Sequence, residues 1–307
     1  MTDDLPLKLV FDLGEILPHL PPEKQAELSR ALRIIFEEFE DARVLATSET
    51  KRMGRILHVV LFGSFTGDNW VEDPKSGYMS DFDLLIVVNN QVFTDCSTYW
   101  YKAEERLLRN PSIRREVNFI VHDLGEVNSK LCEAQYFFSD IVREGIPLYE
   151  LTKTKPLKKP GILDEAEAKR QARRYFEGAF SKVDSFQAYS QLAISRGELS
   201  LAAFLLHQAV EAAYNCLLLV YTLYSPASHN IKFLRSLSEN LDDTLIGAWP
   251  RTEKADRATF STLKRAYVDA RYSSNYEITK DQLNWLLERV KMLEELVKAS
   301  CAKALGL

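Results

Sequence analysis

Strand patterning stops at Tyr149 and does not return. Before that residue, Ile56–Phe62 (ILHVVLF), Asp81–Val88 (DFDLLIVV) and Glu116–Val121 (EVNFIV) are short β-branched and aromatic runs that read as buried strands. Pro22–Phe39, Tyr99–Leu108 and Ser129–Glu144 read as helices between and around them. Beyond it, apolar residues recur at helical spacing through Glu165–Ser195, Ser200–Tyr224, Ile231–Leu241, Lys254–Tyr272 and Thr279–Ala304. The segment between, Leu151–Gly161 (LTKTKPLKKPG), has four lysines, two prolines and one glycine, little to bury, and reads as a linker. The expected organisation is an α/β domain over residues 1–150, a linker over 151–161 and an all-α bundle over 162–307.

A chain of 307 residues suits two such domains and can bury a core without disulfides or structural metal. Its net charge of -5 argues against a protein that coats nucleic acid through excess Lys and Arg. Cys96, Cys132, Cys216 and Cys301 are too dispersed for a zinc or redox motif and suit a reducing compartment. The start, MTDDLPLKLV, lacks the basic and apolar regions of a signal peptide. The apolar helix around Leu201–Leu223 carries His207, Gln208, Glu211 and Asn215, which suits a membrane span poorly. The expectation is a cytoplasmic protein with no membrane partner.

The sharpest feature of the first region is Gly63-Ser64-Phe65-Thr66-Gly67, followed by Ser80-Asp81-Phe82-Asp83-Leu84-Leu85-Ile86-Val87-Val88. Gly63 directly follows a strand, and a residue without Cβ lets the backbone approach a phosphate while neighbouring N–H groups cradle it. Ser64 adds a hydroxyl donor for a phosphate oxygen. Asp81 and Asp83 sit two apart on an extended segment, so both carboxylates point to one face. Two hard oxygen ligands on one face suit Mg²⁺ (or Mn²⁺) bridging to a triphosphate. A lone Gly-Ser or Asp-x-Asp is a weak sign; the two in this order, each tied to a strand, carry the reading.

Over roughly residues 56–121 this arrangement resembles the nucleotidyltransferase superfamily, in its minimal form. The resemblance implies a short mixed sheet with flanking helices, holding a nucleoside triphosphate and Mg²⁺ on the paired aspartates. Two departures stand out. The loop between Gly67 and Ser80 is long and carries Trp70, Asp73, Pro74 and Tyr78, as a substrate rim or as an ordinary surface loop. Members of the family place a third carboxylate on the next strand, where this chain offers Asn118, with Glu116 earlier on the same face. An amide coordinates metal but cannot act as a general base.

In the helical region His207, Glu211 and Asn215 recur every four residues as a polar stripe. A hydrogen-bonded seam is the preferred reading over a metal pair. His229 reads as a cap for the helix that starts at Ile231. Ala203–Leu237, together with Ala270-Arg271-Tyr272 and Tyr276, resembles the HEPN domain family. This resemblance implies a homodimeric helical bundle. Many such domains cut RNA with an Arg followed four to six residues later by His. After Arg271 come Tyr276, Glu277 and Ile278 instead, so Arg271 is left as a phosphate contact or an ion-pair partner of Asp269, and little RNA cleavage is expected.

Together the resemblances imply transfer of a nucleoside monophosphate, AMP from ATP in the first instance, to a hydroxyl acceptor such as a protein tyrosine. The setting they imply is a toxin–antitoxin or defence pair, in which a nucleotidyltransferase silences a HEPN ribonuclease by modifying a tyrosine near its Arg motif. Tyr272 and Tyr276 are the acceptors that this suggests, with packing as the preferred reading of Tyr276. Two alternatives stay open. One is an aminoglycoside-type small-molecule nucleotidyltransferase using an acidic rim of Asp68, Glu72 and Asp73; the other is a non-catalytic nucleotide sensor marked by Asn118.

Overall fold

The computed structural model describes residues 13–44, 52–68, 70–73, 78–273 and 275–307; the side chains of Asp73, Tyr78 and Tyr272 are not described. The acidic start of the chain, and Pro74 and Gly77 of the long loop, therefore lie outside the described residues. The chain divides into two compact units, one running to Ile162 and the other from Leu163 to Leu307, apart from two short stretches of the first half that group with the second.

The first unit is built on a four-stranded mixed sheet. Its elements are α1 (Pro22–Val44), β1 (Ile56–Phe62), β2 (Glu72–Asp73), β3 (Tyr78–Met79), β4 (Phe82–Val88), α2 (Cys96–Tyr99), α3 (Tyr101–Arg109), β5 (Val117–Asp123), α4 (Leu124–Cys132), α5 (Tyr136–Glu144) and β6 (Ile146–Glu150). The strand order is β5-β4-β1-β6, with β4 parallel to β5 and antiparallel to β1, and β2 and β3 form a separate two-stranded ladder. Every residue of β1 and of β4 is buried, which explains their almost unbroken apolar composition: helices cover both faces. Alternation sends Phe82, Leu84, Ile86 and Val88 into a core with Leu28, Leu32, Ile35 and Phe39 of α1 and with Trp100. The other face meets α4 and α5, where Val127, Leu131 and Phe138 are fully buried and Phe138 sets its ring edge against His122 of β5.

Three expectations change here. Ser129–Glu144 is not one helix; the chain breaks at Ala134, which has φ 54°. A further strand, β6, adds to the edge of β1 and carries Pro147, a residue that an edge strand tolerates because its missing N–H leaves no inner ladder bond unmade. Leu151–Gly161 is no free tether. The Leu151 and Gly161 amides donate to the Leu57 and Leu131 carbonyls, and the Lys158 amide donates to the Asn128 side chain. A Cβ on Gly161 would run into the Cys132 carbonyl, so that close approach needs glycine.

The second unit consists of α6 (Glu165–Arg196), α7 (Leu199–Thr222), α8 (Ile231–Leu241), α9 (Lys254–Tyr272) and α10 (Lys280–Leu305). Caps mark the boundaries. Asp164 accepts from the Ala166 and Glu167 amides, and Gly197 closes α6 at φ 78°. Thr279 and Gln282 form a capping box on α10. Helix α7 touches all four others, and alanines at 202, 203, 209 and 213 let them approach closely. By length and composition α7 is apolar enough to cross a membrane, but 61% of that stretch is buried inside the bundle. Its apolar residues are spent on packing.

Candidate functional site

The sheet brings the first region's motif residues to one end. Asp83 pairs in register with Phe62 at the end of β1 and with Asn118 at the start of β5. Gly63 leaves β1 at φ 77°, in the left-handed region that disfavours side chains, and opens a 3₁₀ turn, Gly63–Thr66. A Cβ there would lie 2.7 Å from Asp83 Oδ2, so glycine is needed both for the turn and for the carboxylate beside it. The Thr66 hydroxyl donates to the Gly63 carbonyl at 2.9 Å and tightens the turn. Ser64 is half-buried at its start.

Asp81 and Asp83 are 4% and 1% exposed. Two carboxylates this deep are costly unless polar partners or a cation compensate them. Asn118 supplies part of that: its Nδ2 donates to Asp83 Oδ1 at 3.0 Å. Glu116, half-buried two residues earlier, gives its backbone carbonyl to the Phe82 amide at 3.0 Å. Asn118 thus sets its side chain against Asp83. The donor set fits a hard divalent cation: two carboxylate groups and an amide, all oxygen donors or neighbours of one. Among the described residues no group of three or more His, Cys, Asp and Glu gathers to hold a metal.

The acidic rim expected of the long loop is partly taken up elsewhere. Glu72 pairs with Lys24 and Arg115, and those contacts hold its carboxyl below the usual range. Asp68 is exposed. A surface cavity of about 330 Å³, lined by Glu105, Arg106, Arg109, Asn110 and Pro111, shares no residue with the motif site.

In the helical unit the polar stripe is a hydrogen-bonded seam. Glu211 Oε2 accepts from Gln208 at 3.2 Å and lies 3.0 Å from His229 Nδ1 and 3.9 Å from His207 Nδ1. Asn215 Oδ1 accepts from the Ser225 hydroxyl. His207 is fully buried, and burial first, then the charge of His229, holds its pKa down to about 4. The cap of α8 is Asn230, which accepts from the Lys232 and Phe233 amides; His229 does other work. Its ring stacks on Tyr267 with centroids 3.8 Å apart.

The same Tyr267 ring carries the Arg271 guanidinium at 4.2 Å, and Arg271 Nε donates to the Tyr267 carbonyl at 2.6 Å. Asp269 pairs with Arg265. His229 and Arg271 thus share one ring from different parts of the chain. Local spacing gave no sign of it; only the loop before α8 brings His229 there.

Tyr276 is enclosed. It is 8% exposed, its hydroxyl donates to the Thr262 carbonyl at 3.2 Å, and burial pushes its pKa up. A hydroxyl enclosed and spent in this way is not open to nucleotidyl transfer, and Tyr276 is a packing residue. No curated protein matches the chain. The family match covers none of the sheet unit. Residues 166–300 match the model of the HEPN domain, and the helical half of this chain is a HEPN domain.

Proposed function

We propose that the sheet unit binds a nucleoside triphosphate, ATP in the first instance, and transfers its nucleoside monophosphate to a hydroxyl. The observation that carries this reading is the meeting of a left-handed Gly63 with buried Asp83, itself in register with Asn118. Backbone N–H groups of the turn after Gly63, with the Ser64 hydroxyl, would hold phosphate oxygens. Asp81 and Asp83 would hold Mg²⁺ or Mn²⁺, with Asn118 orienting Asp83. A bound divalent ion supplies neutralisation of triphosphate charge. In the transfer the acceptor oxygen bonds to the α-phosphorus, the bond to the β-phosphate oxygen breaks, and pyrophosphate leaves. The acceptor's proton must pass to a group other than Asn118, whose amide takes none at neutral pH. Glu116, two residues earlier and just before β5, is the carboxylate nearest to it in sequence.

Of the alternatives, a cationic small-molecule acceptor loses support because Glu72 faces Lys24 and Arg115. A protein hydroxyl other than that of Tyr276 remains the preferred acceptor class, and cytoplasmic placement and a homodimer through the helical unit belong to the same reading. Titration with the four triphosphates plus Mg²⁺, beside an Asp81→Ala/Asp83→Ala variant, tests it. Binding is expected in the wild type and lost in the variant. Equal binding by both, or none by either, refutes the site. Binding without pyrophosphate release would turn the reading into the nucleotide sensor.

A second reading concerns the helical unit, where His229 and Arg271 share the Tyr267 ring. This pairing favours RNA phosphodiester chemistry despite the missing local His. Arg271 would contact phosphate, and His229, braced by Glu211, would move the proton. RNA decay that ends with both His229→Ala and Arg271→Ala supports it; decay unaffected by either removes it.

A further inference from the structure

We propose that Arg115 is the positioning residue of the nucleotide site, acting from behind the sheet; the inference rests on the nucleotide-binding reading above. Its side chain is fully buried immediately before β5. The guanidinium carbon lies 5.0 Å from the Phe65 ring centroid and 5.2 Å from that of Phe82. Phe65 belongs to the phosphate turn, and Phe82 stands between the two aspartates. Those rings also touch each other, with centroids 4.5 Å apart. Arg115 Nη1 donates to the carbonyl of Ser80, the residue before Asp81, at 3.3 Å. One planar cation thus contacts the turn, the Asp-x-Asp segment and, through its own backbone, the strand that presents Asn118.

Two carboxylates hold the clamp in place. Glu27 of α1 accepts from Arg115 Nε at 3.0 Å and from the Arg115 amide at 3.1 Å. Glu72 accepts from Nη2 at 3.3 Å and pairs with Lys24. Trp70 stacks on the outer side of Phe65, with Lys24 above Trp70. A buried ion pair is seldom favoured over apolar packing for stability alone, so its use here points to specified geometry. Only a guanidinium combines aromatic stacking with several donors in one plane; a lysine keeps the charge and loses the fork. Alternation points the side chains of Asp81 and Asp83 to the face opposite Phe82.

The test uses the full chain with Arg115→Lys, Phe82→Leu and, as a control, Arg106→Lys. Arg106 pairs with Glu37 and Glu38 in the same unit, away from the motif. Hydrogen exchange is read over residues 63–67 and 80–83 against the interior of β1, and ATP affinity is measured across a Mg²⁺ series. In Arg115→Lys the two segments are expected to exchange faster while β1 stays protected, and the Mg²⁺ midpoint to rise about tenfold. A merely destabilised protein would lose protection everywhere and keep the wild-type midpoint in its folded fraction. The control behaves as wild type.

If Arg115→Lys does not fold, Phe82→Leu, which removes only one stacking surface, makes the same comparison. Wild-type exchange at both segments in a folded variant, or an unchanged midpoint, overturns the proposal. If the wild type binds no triphosphate the nucleotide reading falls, and with it the role assigned to Arg115, whereas binding with unaltered variants sinks Arg115 alone.

Discussion

Asp83 and Asn118 meet because two adjacent strands run in register, whereas His207, His229, Tyr267 and Arg271 meet although they come from α7, the loop before α8, and α9. The first cluster is assembled by strand pairing, in which period-two alternation tells which residues share a face. The second depends on how three separate segments settle against one another. A motif that sits on a strand pair can be read before the fold is known. A cluster of the second kind cannot.

The comparison is sharpened most by breaking a buried charge in the helical unit. Glu239 holds Arg235 at 2.7 Å and also pairs with Arg251, beneath the Phe260 ring that Arg235 faces. Glu239→Ala leaves two cations short of a carboxylate and is expected to cost about 3–5 kcal/mol, read as the urea midpoint of the helical unit. A shift under 1 kcal/mol, on the order of a surface pair, would mean that the arginines find water instead.

His207 gives the next effect. In the unfolded chain its imidazole takes up a proton near pH 6.5, but in the folded protein only at about 4. Its folded pKa is depressed, so stability is full above pH 6.5 and falls as pH drops through this window, by up to about 3 kcal/mol. Glu211, His229, Tyr267 and Arg271 are its polar and aromatic neighbours. Denaturation midpoints at pH 7 and 4.5 should therefore differ less in His207→Gln. An identical slope in that variant would assign the loss to its neighbours.

In the sheet unit, Gly63→Ala forces a side chain into left-handed backbone and onto Asp83. A cost of about 2 kcal/mol is expected, with loss of triphosphate binding larger than the stability change explains. Retained binding would separate the turn from the site. The smallest effect belongs to Tyr276→Phe, which removes one hydrogen bond to the Thr262 carbonyl and should cost about 1 kcal/mol. An AMP adduct found on a peptide carrying Tyr276, and absent from the variant, would contradict its role as a packing residue.

By itself the sequence determined the division into a strand-bearing half and a helical half. Helical periodicity placed α6 to α10 to within two residues at each end. Alternation likewise placed β1, β4 and β5 and put both aspartates on one face. Only the tertiary structure decided the rest. Strand β6 exists because β1 offers an edge that a Pro-containing segment can join. The lysine-rich stretch after it is tied down by backbone bonds that no composition reveals. Tyr276 and Arg271 lie close in sequence, yet one is enclosed and the other exposed, since α9 ends between them. Arg115 shows the limit most plainly. A charged residue before a strand reads as surface, and it is buried here only because Glu27, Glu72 and two phenylalanines converge on it from distant positions. Periodicity encodes which way a side chain points relative to its own element; what it meets there is fixed by long-range packing, which no local pattern contains.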